Sequence, residues 1–243
     1  MSRANRHHVP GQIWHLTHRC HDKSFLLRAQ VDRRRWMYWL FQARRRFGLS
    51  VLDYTVTHNH VHILVRDTGG DTIPRSMQLV AGRTAQEFNL RQGRGGAFWQ
   101  DRYHATAVQD DIHLARCLVY IDLNMVRAGV VAHPERWRHG GYFELQHPRR
   151  RGGRLDYPAL MKALDLGSMR ELQEARRSWV DQRLEEKRPL TRESAWTEGL
   201  AVGGMSYALG MQRRLVVRHP GRRTVKEECG YVVRERRGRY AAT

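Results

Sequence analysis

Cysteine is scarce in this sequence: Cys20, Cys117 and Cys229 are three in number and far apart. An odd, scattered set supports neither a disulfide framework nor a CxxC zinc site, and a reducing cytoplasm is the expected compartment. Long apolar runs are absent as well. The longest uncharged stretch, residues 199–212, is short and rich in glycine, so it cannot span a bilayer. Met1 to Pro10 is polar and basic without an apolar segment, which argues against a secretory signal. No internal repeat is visible. Lysine is nearly missing: 39 of the 43 basic residues are arginine, and only 24 acidic residues oppose them, leaving a net charge of +19.

A positive excess of this size concentrates polyanions and speeds their association, which points to nucleic acid. Arginine suits bidentate contacts with phosphate and guanine, although a GC-rich genome also favours its codons. The excess is even along the chain. Residues 1–148 carry 21 basic and 12 acidic side chains, and residues 149–243 carry 22 and 12. Both parts are therefore expected to face the same polyanion. With 243 residues, 41% of them hydrophobic, the chain can bury a full core, as one large domain or a core domain with an appendage.

Gln12–His18 alternates apolar and polar residues and reads as a strand. Val31–Phe47 places Trp36, Leu40 and Phe41 on one helix face, with Gly48 where a C-terminal cap would stand. Leu49–Val56 and Val61–Val65 are β-rich runs joined by the polar Thr57-His58-Asn59, a hairpin pattern. Ile73–Leu90 reads as a second helix, broken by Gly93–Gly96, and Tyr103–Val108 as a fourth strand. Asp110 or Asp111 is expected to cap a long helix running to about Ala128, before Gly129. The order β-α-β-β-α-β-α builds an α+β fold: a ferredoxin-like antiparallel sheet covered by helices on one face. Arg149 to Arg154, charged and glycine-bearing, is the linker candidate. Residues 1–148 are then the core domain and 149–243 a basic, mainly helical C-terminal extension. In that extension Tyr157–Leu164, Met169–Glu186 and Thr191–Met211 read as helical. Trp179, Trp196, Leu200, Tyr207 and Leu209 would form a small core of its own. A basic run from Arg213 to Arg223 and the alternating Cys229–Arg234 follow.

Two constellations carry chemistry. In His60-Val61-His62, strand alternation sends both imidazoles to one side and Val61 to the other. Two neutral imidazoles one strand-step apart can grip a divalent cation; the same triplet is also read as two surface histidines in a chain with 14. His58 shares their parity and joins them if the strand starts early. The second constellation is a polar stripe on the predicted helix from Asp111: His113, Arg116, Tyr120, Asn124 and Arg127, at spacings of three and four. Its flanks, Leu114, Leu118, Val119, Ile121, Leu123 and Val126, are apolar, so the stripe would be buried and needs either a functional or a hydrogen-bonding reason.

Together the two segments resemble the REP-associated tyrosine transposases, relatives of the bacterial insertion-sequence transposases with a His-hydrophobic-His motif and one tyrosine. The resemblance runs from about Gly11 to Tyr142. It rests on Asn59-His60-Val61-His62-Ile63-Leu64, on Phe98-Trp99-Gln100-Asp101-Arg102-Tyr103, and on Tyr120-Ile121-Asp122-Leu123-Asn124-Met125-Val126-Arg127-Ala128-Gly129. The chain departs from the family's usual Met-Pro at Thr57-His58, and from its usual proline at Met125. Neither departure removes a reacting group. The resemblance implies that Tyr120 attacks a phosphodiester of single-stranded DNA, leaving a 5′-phosphotyrosine link and a free 3′-hydroxyl. It also implies a Mg2+ or Mn2+ ion held by His60, His62 and Asn124. The expected partner is single-stranded or hairpin DNA of the REP type, with no membrane, and the protein a monomer or homodimer at the bacterial nucleoid. Trp99, Arg102 and Tyr103 fit a nucleic-acid surface, where aromatics stack on unpaired bases and arginines hold phosphate, or equally a core Trp-Tyr pair near the sheet edge. Arg116 and Arg127 join them as candidate DNA contacts. The clusters Arg33–Arg35 and Arg44–Arg46 read as solvated faces first and phosphate contacts second. Two rivals remain open: a decayed transposase that binds nucleic acid without cutting, and a metal-dependent hydrolase that uses water.

Overall fold

Strands β1 (Ile13–Arg19), β2 (Ser50–Val56) and β3 (His60–Arg66) form where β-branched and aromatic residues alternate, with β3 between the other two. The computed structural model describes residues 9–149, 151–186, 188–215 and 222–235. Helix α1 (Gln30–Phe47) links β1 to β2 and stops at Gly48, whose left-handed φ of 70° lets its N–H reach the Arg44 carbonyl. Helix α2 (Thr72–Arg91) leads from β3 to β4 (His104–Val108), which pairs with the free side of β1. The resulting order β2-β3-β1-β4 has every neighbour antiparallel. This is the ferredoxin-like α+β sheet expected from the element order.

Helices cover both faces of the sheet, not one. Tyr54 pairs with Ile63 and its ring meets Trp36 of α1, whereas His62, pointing the other way, meets Tyr120 of α3 (Ile112–Asp122). The expected long helix is also shorter. Leu123, with ψ near 4°, interrupts it, and a single turn α4 (Asn124–Arg127) follows. Asp111 precedes α3 with a left-handed φ of 71° and makes no side-chain cap bond.

Beyond α5 (Gly141–Gln146) the expected linker is packed. The Gly153 carbonyl accepts from Arg44 Nη1 (2.7 Å), and buried Arg154 donates to Glu144 and to the Met37 carbonyl (both 2.9 Å). A run of arginine and glycine reads as solvated, and Arg151 is exposed, but Gly153 and Arg154 have found partners in the fold. Helices α6 (Tyr157–Leu164) and α7 (Met169–Glu185) follow as expected. The predicted helix over 191–211 is instead α8 (Ser194–Glu198), β5 (Ala201–Gly203) and α9 (Met205–Leu215). Ala201 and Val202 pair in parallel with Ala107 and Val108, which saturates the open edge of β4. Strands β7 (Gly230–Arg234) and β6 (Arg223–Glu227) extend the sheet to seven, in the order β2-β3-β1-β4-β5-β7-β6.

The extension therefore shares one core with the N-terminal half. Trp196 is buried in the main core rather than in a separate helical one, and Leu209 is exposed. Arg33, read as solvated, is buried with Nη1 on the Leu27 and Arg28 carbonyls. Residues 216–221 of the basic run, Arg150 of the linker and residues 1–8 lie outside the described residues. No helix among the described residues is long and apolar enough to cross a membrane.

Candidate active site

His60 opens β3, so His60 and His62 share a face and Val61 packs on the other, as the triplet predicts. Their rings lie 4.9 Å apart, centroid to centroid. His58 does not join them. It sits in the preceding turn, against Phe25 and Trp137.

The hydrogen bonds around the two rings determine which nitrogen carries the proton. Asn59 Nδ2 donates to the Lys23 carbonyl (2.9 Å), which turns its Oδ1 toward His60 Nδ1 at 2.8 Å. An amide oxygen only accepts, so His60 bears its proton on Nδ1 and its lone pair on Nε2. Thr57, one of the two departures before Asn59, braces the same residue: its Oγ1 accepts from the His60 N–H (3.1 Å) and donates to the His60 carbonyl (2.8 Å).

His62 is set by a longer chain. His15, fully buried on β1, has Nδ1 at 2.9 Å from the Trp196 carbonyl and therefore donates to it. Its Nε2 then accepts from His62 Nδ1 at 2.8 Å, which leaves the lone pair of His62 on Nε2. Asn124 Nδ2 donates to that nitrogen at 2.9 Å. Burial keeps these rings neutral: the pKa values of His15 and His60 are each held down at about 3, and that of His62 well below its ordinary value. For His60, the guanidiniums of Arg19, Arg127 and Arg192 add to the effect.

Tyr120 lies directly against this cluster. Its ring centroid is 5.9 Å from that of His62, 6.2 Å from that of His15 and 6.2 Å from that of Trp196. Arg127 of α4 turns back so that its guanidinium carbon is 4.3 Å from the Tyr120 ring centre. Burial raises the tyrosine pKa, and the charges of Arg127 and Arg192 oppose that rise.

The polar stripe divides into two. Tyr120 and Asn124 turn to the histidines, whereas His113 Nδ1 bonds the Cys229 carbonyl (2.8 Å) and Arg116 Nη1 reaches the Glu228 carbonyl (3.4 Å). Trp99 and Tyr103 are not brought to the histidine pair. Trp99 stacks on His18 at 4.1 Å and donates to the Ala81 carbonyl, and Tyr103 meets the edge of the same His18. His18 pairs with Val61, so this group lies on the α1 face of the sheet, with Arg102 exposed beside it. His15, Arg19, Arg192 and the Trp196 carbonyl were not legible as site components. A lone histidine between Trp14 and Leu16 declares its face but not which strand pairs beside it.

Two unprotonated Nε2 atoms beside an amide can hold a divalent ion with positions to spare. The neutral charge state and fixed tautomers fit that role. Among the described residues no cluster of three or more His, Cys, Asp or Glu could hold a metal, and Asn124, the remaining expected donor, presents its Nδ2 rather than its amide oxygen to His62 Nε2.

Residues 8–124 match the model of the family described as transposase IS200-like. A REP-associated tyrosine transposase bound to a REP hairpin aligns with 19% identity over 61% of this chain and 87% of its own, with a TM-score of 0.51. A candidate transposase from Deinococcus radiodurans R1 aligns with 20% identity over 43% and 84%, with a TM-score of 0.34. No curated protein matches the chain.

Proposed function

We propose that this chain, whose residues 8–124 match the IS200-like transposase family, nicks and rejoins single-stranded DNA through Tyr120. The supporting observation is the tyrosine ring packed between an arginine and a histidine whose Nε2 lone pair is fixed by its hydrogen bonds. Tyr120 Oη attacks the phosphorus, the phosphorus–O3′ bond breaks, and Tyr120 is left esterified to a 5′-phosphate. The phenol loses one proton, and the departing 3′-oxygen gains one through water. An ordinary tyrosine titrates near pH 10, and burial makes ionisation harder still, so nucleophilic attack needs nearby positive charge. Arg127, over the ring, and Arg192 supply it. His60, His62 and Asn124 would hold Mg2+ or Mn2+, which withdraws charge from the scissile phosphate. His15 keeps His62 in the ligating tautomer. The DNA substrate is a single strand beside a palindromic hairpin of the REP kind; the structurally similar transposase is bound to a REP hairpin. Residues 1–148 carry the nucleophile and the metal ligands, the basic residues 149–243 grip DNA, and Arg116 and Arg102 are further phosphate contacts, whereas Trp99 and Tyr103 pack around His18.

One gel tests the assignment. Incubation with labelled single-stranded hairpin DNA and Mg2+ or Mn2+ should give a denaturation-resistant protein–DNA species. Tyr120→Phe should abolish it while leaving hairpin binding nearly intact, because only the hydroxyl is lost. An undiminished adduct in the Phe protein would remove Tyr120 from the mechanism.

A further inference from the structure

A cavity of about 650 Å3 opens beside Tyr120, walled on one side by α3 and α4 and on the other by α7 and residues 188–193 of the extension. We propose that this cavity receives one unpaired nucleotide next to the scissile phosphate, so that the C-terminal extension reads a base at the cleavage point. The inference rests on the nicking reading above, since it takes Tyr120 as the point the strand must reach. Three features favour a nucleotide.

The volume falls within the roughly 300–1,000 Å3 of ordinary small-ligand pockets. The lining is mixed in the way a nucleotide is. Val119 and Leu190 give apolar walls and the half-buried Trp179 an indole, the surfaces on which a base stacks. Arg116 and Arg127 stand on the same side as Tyr120, and Arg116 makes one long bond to the Glu228 carbonyl, which leaves other N–H groups for phosphate. Continuity is the third feature. Tyr120 lines the cavity and also touches His62, so a strand held at the histidines runs directly into this space.

Binding can be read without cutting. The full chain carrying Tyr120→Phe is titrated against fluorescent hairpin oligonucleotides in which single abasic sites move through the unpaired flank. One abasic position should weaken binding about tenfold, the low end of what stacking a base contributes. Gln182 lines the opposite wall from an exposed position on α7, so Gln182→Trp blocks the cavity without touching the core. In that variant the intact oligonucleotide should bind about tenfold more weakly, and the sensitive abasic position should cost nothing further. A flat abasic scan, or an unchanged profile in the blocked protein, overturns the pocket. The two readings fail separately: a wild-type protein that forms no adduct yet keeps the abasic profile retains the pocket and loses the nicking assignment.

Discussion

His15 and Asn124 hold opposite edges of the His62 ring, and each can be removed on its own. Without a metal, both His60 and His62 should be Nδ1–H tautomers, a state that nitrogen chemical shifts of the imidazoles report directly. His15→Phe keeps an aromatic ring, somewhat larger than imidazole, but leaves His62 Nδ1–H with no acceptor, while the Trp196 carbonyl retains Thr106 Oγ1 at 3.2 Å. The expected outcome is a mixture of His62 tautomers and Mn2+ affinity lower by about 10–100-fold, as for other partners that orient a ligating histidine. An unshifted spectrum with unchanged Mn2+ binding would make His15 an ordinary core residue. Asn124→Ala tests the third donor. It should raise the Mg2+ or Mn2+ concentration needed for half-maximal cleavage, and lower stability without metal by no more than about 1–3 kcal/mol, the cost of leaving His62 Nε2 unpaired. A protein that loses stability but keeps the wild-type metal requirement would show a structural asparagine instead.

Helix α7 is tied to the catalytic half by one buried ion group. Arg176, with no exposed surface, donates Nη2 to Asp53 of β2 (3.1 Å) and to Asp122 of α3 (2.5 Å). Asp122 is two residues after Tyr120, so this clamp bears on the helix that carries the nucleophile. Arg176→Met should lower stability by about 3–5 kcal/mol, because it leaves two carboxylates buried without their counter-charge. Adding Asp53→Asn and Asp122→Asn should recover much of that loss, read as Tm or chemical-denaturation midpoint. If Arg176→Met melts like the wild type, the ion group does not hold α7 in place. An arginine between Ala175 and Arg177 on a charged helix gives no sequence signal of burial; its depth follows from the two carboxylates that converge on it.

Charge acts over the whole molecule. With +19 spread over both halves, affinity for single-stranded DNA should fall steeply with salt, since each phosphate contact releases counterions. Arg213→Gln with Arg214→Gln, in the last turn of α9, should reduce the log–log salt slope by about 0.7 per lost contact. An unchanged slope would mean that this end of the extension does not touch DNA. A deletion of residues 149–243 would be a poorer test. It strips β5 from the edge of β4, removes Arg176 from between Asp53 and Asp122, and takes away the Trp196 carbonyl that orients His15.

What the sequence determined by itself was local. Alternation and helical spacing are periodic, so β1 to β4, α1, α2 and the shared face of His60 and His62 could be read from residue order. The stripe through Tyr120 and Asn124 came from the same periodicity. Pairing between distant segments has no period, and tertiary structure alone decided it. A stretch with helical composition became β5 because β4 offered an unpaired edge. Trp196 left the extension's expected core for the space beside Tyr120. His15 gained its role only when β1 lay beside β3 and the extension brought a backbone carbonyl within 2.9 Å. The reacting groups are adjacent in short motifs, but the bonds that give them protonation and direction cross up to 181 residues of chain.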